Sequence, residues 1–216
     1  MRAIIYQNPH ILTEAAFPLK IPRMTYKRTN SLQGHLLLAM PDMGDPRFQR
    51  SVIYLFSHGA DGAMGFVINQ PAKGATMADI LEAAGTQTYD AAFAARPVFI
   101  GGPVQKDNGF VLHTADYTTD DTQTTDGQPL ALTLSIDILT DAARGEGPKD
   151  LRFLLGYAGW SAGQLETELQ DNAWLIGPAT PDIVFMPDKD GTAIYAHCAA
   201  AMGIDLAQLS HSGGEA

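Results

Sequence analysis

Residues 151–174 read LRFLLGYAGWSAGQLETELQDNAW. Leu151, Phe153, Leu155 and Tyr157 alternate with Arg152, Leu154 and Gly156, the period of two of a β-strand. The intervening positions are largely apolar as well, so the strand is expected to be covered on both faces and to lie centrally in a sheet. Gly156, Gly159 and Gly163 permit positive φ or a close backbone approach at a corner after it. Ser161 followed three residues later by Gln164 matches a capping box, which predicts Ser161 as the cap of the next helix. In that helix Leu165 and Leu169 recur four apart, while Glu166, Thr167, Gln170 and Asp171 take the wetter faces. On this reading Ser161→Ala costs ~1 kcal/mol through the lost cap.

Working outward, GHLLLAM at 34–40, SVIYLFS at 51–57 and GFVINQ at 65–70 read as three successive strands, an antiparallel meander. Thr76 is expected to cap a helix through Met77, Ile80 and Leu81 that stops at Gly85. PVFIG at 97–101 and FVLH at 110–113 look like a hairpin pair. Residues 116–129, rich in threonine and aspartate, lack an apolar period and read as a loop. A strand is expected at 130–134, a short helix at 137–144 stopped by Gly145, a brief strand near 183–185 and a closing helix over 191–202. Residues 1–30, punctuated by Pro9, Pro18 and Pro22, read as an irregular arm, 31–210 as one domain and 211–216 as a loose tail.

The chain has 216 residues, 45% hydrophobic and 18% charged, enough for one core burying ~70% of the unfolded chain's surface. The formal net charge is −10, unevenly spread. Arg2, Lys20, Arg23, Lys27 and Arg28 against Glu14 give residues 1–30 a charge of +4 and leave −14 for the remainder. An acidic body lacks the footprint that neutralises phosphates, so duplex DNA is expected to bind weakly and without sequence preference. The single cysteine, Cys198, excludes an intrachain disulfide and a multi-cysteine metal site and suits a reducing cytoplasm. No segment has the ~20 apolar residues of a membrane helix. Asn8, Pro9, His10 and Glu14 interrupt any signal-like run.

GHLLLAMPDMGDPRFQRSVIYLFSH, GAMGFVINQP, VFIGGPVQKDNGFVLH, LSIDIL and GYAGWSAGQLETELQDNAWL stand in that order over roughly residues 30–205. In these blocks the chain resembles the AlgH/YqgE family of bacterial proteins. The resemblance implies an α+β fold with a mixed, strongly bent sheet closing toward a pseudo-barrel and flanked by helices. It also implies the label of a transcriptional regulator. No catalytic residue or cofactor is established for that family, so none is carried over; residues 1–30 lie outside the resemblance.

Gly159-Trp160-Ser161-Ala162-Gly163 is a literal G-x-S-x-G between a strand and a helix, the setting of a nucleophile elbow, and Asp182 or Asp188 and then His197 follow in hydrolase order. A serine hydrolase using Ser161 and His197 is therefore the enzyme alternative. The helix cap explains the same serine, and a chain opening on antiparallel strands does not suit the parallel sheet that elbow requires. Gly101-Gly102-Pro103 reads as an anion nest or a tight turn. The phosphate-binding glycine motifs GxGxxG and GxxxxGK[ST] are absent. His10, His35, His58, His113, His197 and His211 are scattered, without zinc spacing. Asp116, Asp120, Asp121 and Asp126 do not follow a calcium-loop pattern. Trp160 and Trp174, at the two ends of one helix, are read as core. No cofactor or metal is expected.

The best binding candidate is the connection 41–50, PDMGDPRFQR. Its ten residues exceed the ~2–5 of a hairpin, and long polar loops on rigid scaffolds carry function. Asp45 can pair with an arginine and merely hold the loop; two guanidiniums in Arg47 and Arg50 would otherwise suit a carboxylate or phosphate. In a meander this loop and the turn at His58 lie at opposite ends, whereas Asn69 returns to the loop side. The expected site is Asp45, Arg47, Arg50 and Asn69, joined by Gln164 and Glu166 if the central helix starts at that end. The function expected is a non-catalytic cytoplasmic binding or regulatory protein for a protein partner or small anionic ligand.

Overall fold

The computed structural model describes residues 31–88, 90–125, 127–187 and 190–204. The expected arm and tail, and Asp126, Asp188, His10 and His211, lie outside the described residues. In chain order the elements are β1 (His35–Ala39), β2 (Val52–Gly59), β3 (Gly62–Val67), β4 (Pro71–Thr76), α1 (Met77–Ala83) and α2 (Ala91–Ala94). Then come β5 (Pro97–Ile100), β6 (Val104–Thr114), β7 (Thr122–Thr124), β8 (Leu130–Thr133) and α3 (Asp137–Ala143). The chain continues with β9 (Leu151–Ser161), α4 (Gln164–Gln170), β10 (Trp174–Pro178), α5 (Pro181–Val184) and α6 (Thr192–Ala201).

The fold is α+β, a mixed and curled half-barrel sheet with helices around it. The meander is present: β1 pairs β2 (Leu37 with Ile53) and β2 pairs β3 (Tyr54 with Phe66), all antiparallel. β9 is central. Gly62 and Gly65 of β3 pair with its Ser161 and Ala158, and farther down the same edge β5 runs parallel to it, Phe99 opposite Leu154. The other edge holds β6, Phe110 also opposite Leu154, followed outward by β8 and β7. β5 and β6 therefore do not form the expected hairpin. Their connection crosses β9 at Gly101 and Gly102, where the N–H of Gly101 donates to Leu155 O (2.7 Å) and its carbonyl accepts from Val67 (2.8 Å).

Apolar residues on both faces of the inner strands follow from cores on both sides. Leu36 and Leu38 join Tyr54, Phe66, Phe110 and Leu154 on one face, while Leu37 and Ala39 join Ile53, Val67, Trp160 and Trp174 on the other. β9 departs from strict alternation. Leu151, Phe153 and Leu155 share one cluster, but Tyr157 packs with Phe110, ring centroids 5.9 Å apart, among the residues around Leu154. The side-chain phase reverses at Gly156, at φ 70°, opposite a register break in which β6 passes from Val104 to Gly109 while β9 advances only from Tyr157 to Leu155. The strand then runs on to Ser161, so the corner shrinks to Ala162 and Gly163.

Helix boundaries follow their punctuation: Thr76 and Asp79 form the capping box of α1, Gly85 follows its end at φ 69°, and Gly145 follows α3 at φ 79°. Other expectations are corrected. Residues 183–185 are not a strand; Thr180 caps α5 there, with Pro181 in the first turn. Trp174–Pro178 is an edge strand on β1, the 116–129 loop contains β7, and Pro71–Thr76 forms β4 ahead of α1. These short strands carry no periodic signature because pairing partners, rather than their own composition, hold them extended. Among the described residues no helix is long and apolar enough to cross a membrane.

Candidate functional site

The 41–50 connection is anchored by apolar side chains and amide bonds. Met43 and Phe48 sit on the Trp174 cluster, with Phe48 edge-on to Trp174 at 5.7 Å. Asp45 accepts from the backbone N–H of Arg47 (3.0 Å) and from its Nε and Nη2 (3.0 and 2.6 Å), a bidentate pair. The Arg47 guanidinium holds the Asp45 carboxyl below the usual carboxylate range, and Asp45 raises Arg47 in turn. Both are solvent-facing, so the pair orders the loop more than it stabilises the fold. Arg47 is thereby committed.

Asn69 reaches the loop as the meander geometry requires, and it is 4% exposed. Its Oδ1 accepts from Val52 N–H (2.8 Å), and its Nδ2 donates to the carbonyls of Arg50 and Gly191 (both 2.9 Å). This amide ties the loop, β2 and the start of α6 together, which makes Asn69 a positioning group. Gln70 adds bonds from Nε2 to Ser51 Oγ (2.8 Å) and Arg47 O (3.2 Å). Gly191 sits at φ 84°, where an added Cβ would stand 1.8 Å from Asn69 O.

Between these elements lies a cavity of ≈ 310 Å³, lined among others by Arg50, Asn69, Gln70, Asp190, Thr192 and Tyr195. That is the lower end of small-ligand pockets. Asp190 Oδ1 accepts from Thr192 N–H (3.0 Å) and Oγ1 (2.6 Å), closing the first turn of α6. The Tyr195 hydroxyl donates to Ala39 O (2.8 Å). Burial pushes the Tyr195 phenol up while the positive charge of Arg50 pulls it back, so the guanidinium acts on this wall. Among the described residues the Arg50 guanidinium has no ion pair or hydrogen bond. Gln70, Thr192 and Tyr195 were not among the residues expected from sequence. Gln70 adjoins Asn69, but the α6 residues arrive only through tertiary packing.

Gln164 and Glu166 do not join this site. α4 begins beside Ser161, which pairs with Gly62 at the opposite end of the meander. Glu166 Oε1 accepts from Nε2 of the buried His58 (2.9 Å), whose Nδ1 accepts from Leu32 N–H (3.0 Å); these partners assign the tautomer. Gln164 donates to Glu168 Oε1 (2.9 Å), and Glu168 Oε2 accepts both indole N–H groups, from Trp160 (2.8 Å) and Trp174 (2.7 Å). The two tryptophans are buried with rings 6.1 Å apart and pin α4 to the sheet, as core residues do.

The catalytic alternative finds no support in geometry. Ser161 is the last residue of β9, not the cap: Gly163, at φ 76°, is the N-cap of α4. Ser161 N–H and Oγ both donate to Gln164 Oε1 (3.1 Å each), and among the described residues no histidine is a partner of Oγ. His197 is exposed on α6 and Asp182 exposed on α5. Since the exposed hydroxyl caps no backbone group, Ser161→Ala is expected to change stability by less than ~0.5 kcal/mol. Chemical denaturation checks this, and a fluorophosphonate probe is expected to leave Ser161 unlabelled. Gly101 cannot serve as a nest, its N–H being used on Leu155. Cys198 is buried and its thiol is pushed up to about 11, which makes it a poor nucleophile. His113 is fully buried between Thr114 O and Thr133 Oγ1, and burial pushes its imidazole down. Among the described residues no group of three or more potential metal ligands occurs.

Arg152 carries a buried cation the sequence reading left without a role. Lying within β9 and 5% exposed, it donates to Ile68 O and to Met186 O (3.1 Å), with its guanidinium 4.0 Å from the Phe99 ring centre. It thus braces the end of β3, next to Asn69, against the chain leading to α6. The signal for it was a single charge within LRFLLGYAG.

The sequence profile of the AlgH-like family matches residues 36–207. A UPF0301 protein of Ruegeria pomeroyi is 47% identical over 187 residues, 86% of this chain and 99% of that protein. One from Methylobacterium nodulans is 43% identical over 215 residues, 97% of this chain and 98% of its own. The solution structure of the AlgH protein of Pseudomonas aeruginosa is similar at TM-score 0.68 and 41% identity, over 89% of this chain and 100% of that one. A profile running from β1 past α6, together with relatives and a solved structure matched along nearly their whole lengths, establishes that the chain belongs to the AlgH-like family.

Proposed function

We propose that this protein is a non-catalytic binding protein of the cytoplasm that takes a small anionic ligand in the cavity between the 41–50 loop, Asn69 and α6, with a regulatory role exerted through that ligand or a protein partner. The observation that carries this reading is the Arg50 guanidinium, without an ion pair or hydrogen bond among the described residues, at a cavity of ≈ 310 Å³ whose walls are braced by Asn69. The Thr192 and Tyr195 hydroxyls that line it already donate to Asp190 Oδ1 and Ala39 O, an arrangement that supports recognition rather than chemistry. Direct action on duplex DNA does not suit a body of charge −14.

The test is amide chemical-shift mapping of the full chain with acetate, citrate, inorganic phosphate and AMP in turn. At least one anion is expected to perturb residues 49–50, 69–70 and 190–196 together. Arg50→Ala is expected to weaken that response at least tenfold and Arg47→Ala less than twofold, because Arg47 is already held by Asp45. No anion perturbing this cluster, or equal losses in the two variants, would overturn the reading.

A further inference from the structure

Resting on that anion-binding reading, we infer that the cavity is a carboxylate site, selecting an organic monoanion over phosphate, and that position 50 keeps an unfavourable backbone conformation in order to present its guanidinium there. Arg50 has φ 56°, in the left-handed region that costs a residue with a Cβ and that glycine enters freely. It cannot relax, because it is bracketed by two bonds. Ser51 N–H donates to Phe48 O (3.0 Å), closing the loop, and Asn69 Nδ2 holds the Arg50 carbonyl (2.9 Å). Glycine would satisfy both bonds without strain, since neither uses the side chain. An arginine in such a place, lining a cavity and unpaired among the described residues, is a backbone outlier at a site.

The ligand class follows from what surrounds it. Phosphate receptors combine several cations with backbone N–H groups at a helix start. Here the second loop guanidinium, Arg47, is bound bidentately by Asp45, and the Thr192 N–H at the start of α6 already donates to the Asp190 carboxylate. One guanidinium remains, and its two parallel N–H donors match a planar carboxylate. A cavity of ≈ 310 Å³ equals the liquid volume of roughly 10 waters at about 30 Å³ each, room for a small organic acid. Tyr195, its hydroxyl committed to Ala39, and Ala196 offer apolar wall to the remainder of such a molecule.

Thermal melts of the full chain with acetate, hexanoate, benzoate and, separately, inorganic phosphate at matched ionic strength test this. Hexanoate or benzoate is expected to raise the melting temperature saturably, and phosphate to leave it unchanged. Without ligand, Arg50→Gly is expected to melt ~2 °C higher than the parent chain and to lose the carboxylate response, while Arg50→Lys keeps the parent melting temperature and a weakened response. A phosphate response that Arg50→Gly abolishes would overturn the carboxylate assignment and leave the anion site standing. No response to any probe would overturn both. An Arg50→Gly variant no more stable than the parent would overturn the argument from backbone conformation.

Discussion

Gly102→Ala is expected to lower the stability of the fold more than any other single change considered, while leaving it folded at ambient temperature. A Cβ at this position would lie 2.1 Å from the Tyr157 carbonyl carbon, 2.3 Å from its oxygen and 2.4 Å from Ala158 N. All three are backbone atoms of the central strand, so no rotamer change relieves the overlap. The connection would have to lift away from β9, breaking the bond from Gly101 N–H to Leu155 O and the seating of β5 and β6 on opposite edges. Overpacking that displaces backbone belongs to the upper tail of point-mutant effects, roughly 4 kcal/mol, a large share of a domain's net stability. Gly145→Ala is the control: its φ is 79° but nothing lies within 4 Å, so it is expected to cost only the strain of a left-handed residue, ~1 kcal/mol. Urea denaturation of both variants checks the pair. Equal losses would show that conformation rather than the crossing governs these glycines.

Arg152→Met is expected to destabilise the fold by roughly 3 kcal/mol, the second-largest effect foreseen here. Methionine keeps much of the volume and the contact with Phe99 but supplies no donor, leaving the Ile68 and Met186 carbonyls without those bonds in a buried setting. Replacing one partner of a buried charged group is costly because the others remain desolvated. The same change should loosen the wall of the cavity, since Ile68 precedes Asn69 and Met186 lies upstream of Asp190. The urea midpoint is expected to fall at constant slope, which marks a loss of stability rather than of cooperativity. An unchanged midpoint would mean that the guanidinium contributes no net stability and that apolar packing alone holds β9 there.

Much of the scaffold was legible from residue order because it rests on local chemistry. The meander is written in apolar runs separated by polar turns, the limits of α1 in Thr76 and Gly85, and the central place of residues 151–161 in a strand apolar on both faces. Even the return of Asn69 to the 41–50 loop followed from strand direction alone. Tertiary structure decided the rest. Whether Leu155 and Tyr157 share a face depends on the positive φ of Gly156 opposite the irregular stretch of β6, and whether β5 and β6 pair with each other depends on the strand inserted between them fifty residues later. Composition could not say which of two arginines would be neutralised, because Asp45 is near both in sequence and only the loop's conformation hands it to Arg47. Nor could it show that Asn69 is spent on bonds reaching Gly191, 122 residues away, or that Glu166 faces His58 across 108. Sequence period specifies which side of an element is apolar; which polar groups meet is set by long-range register, where each buried donor must find an acceptor that only the assembled fold supplies.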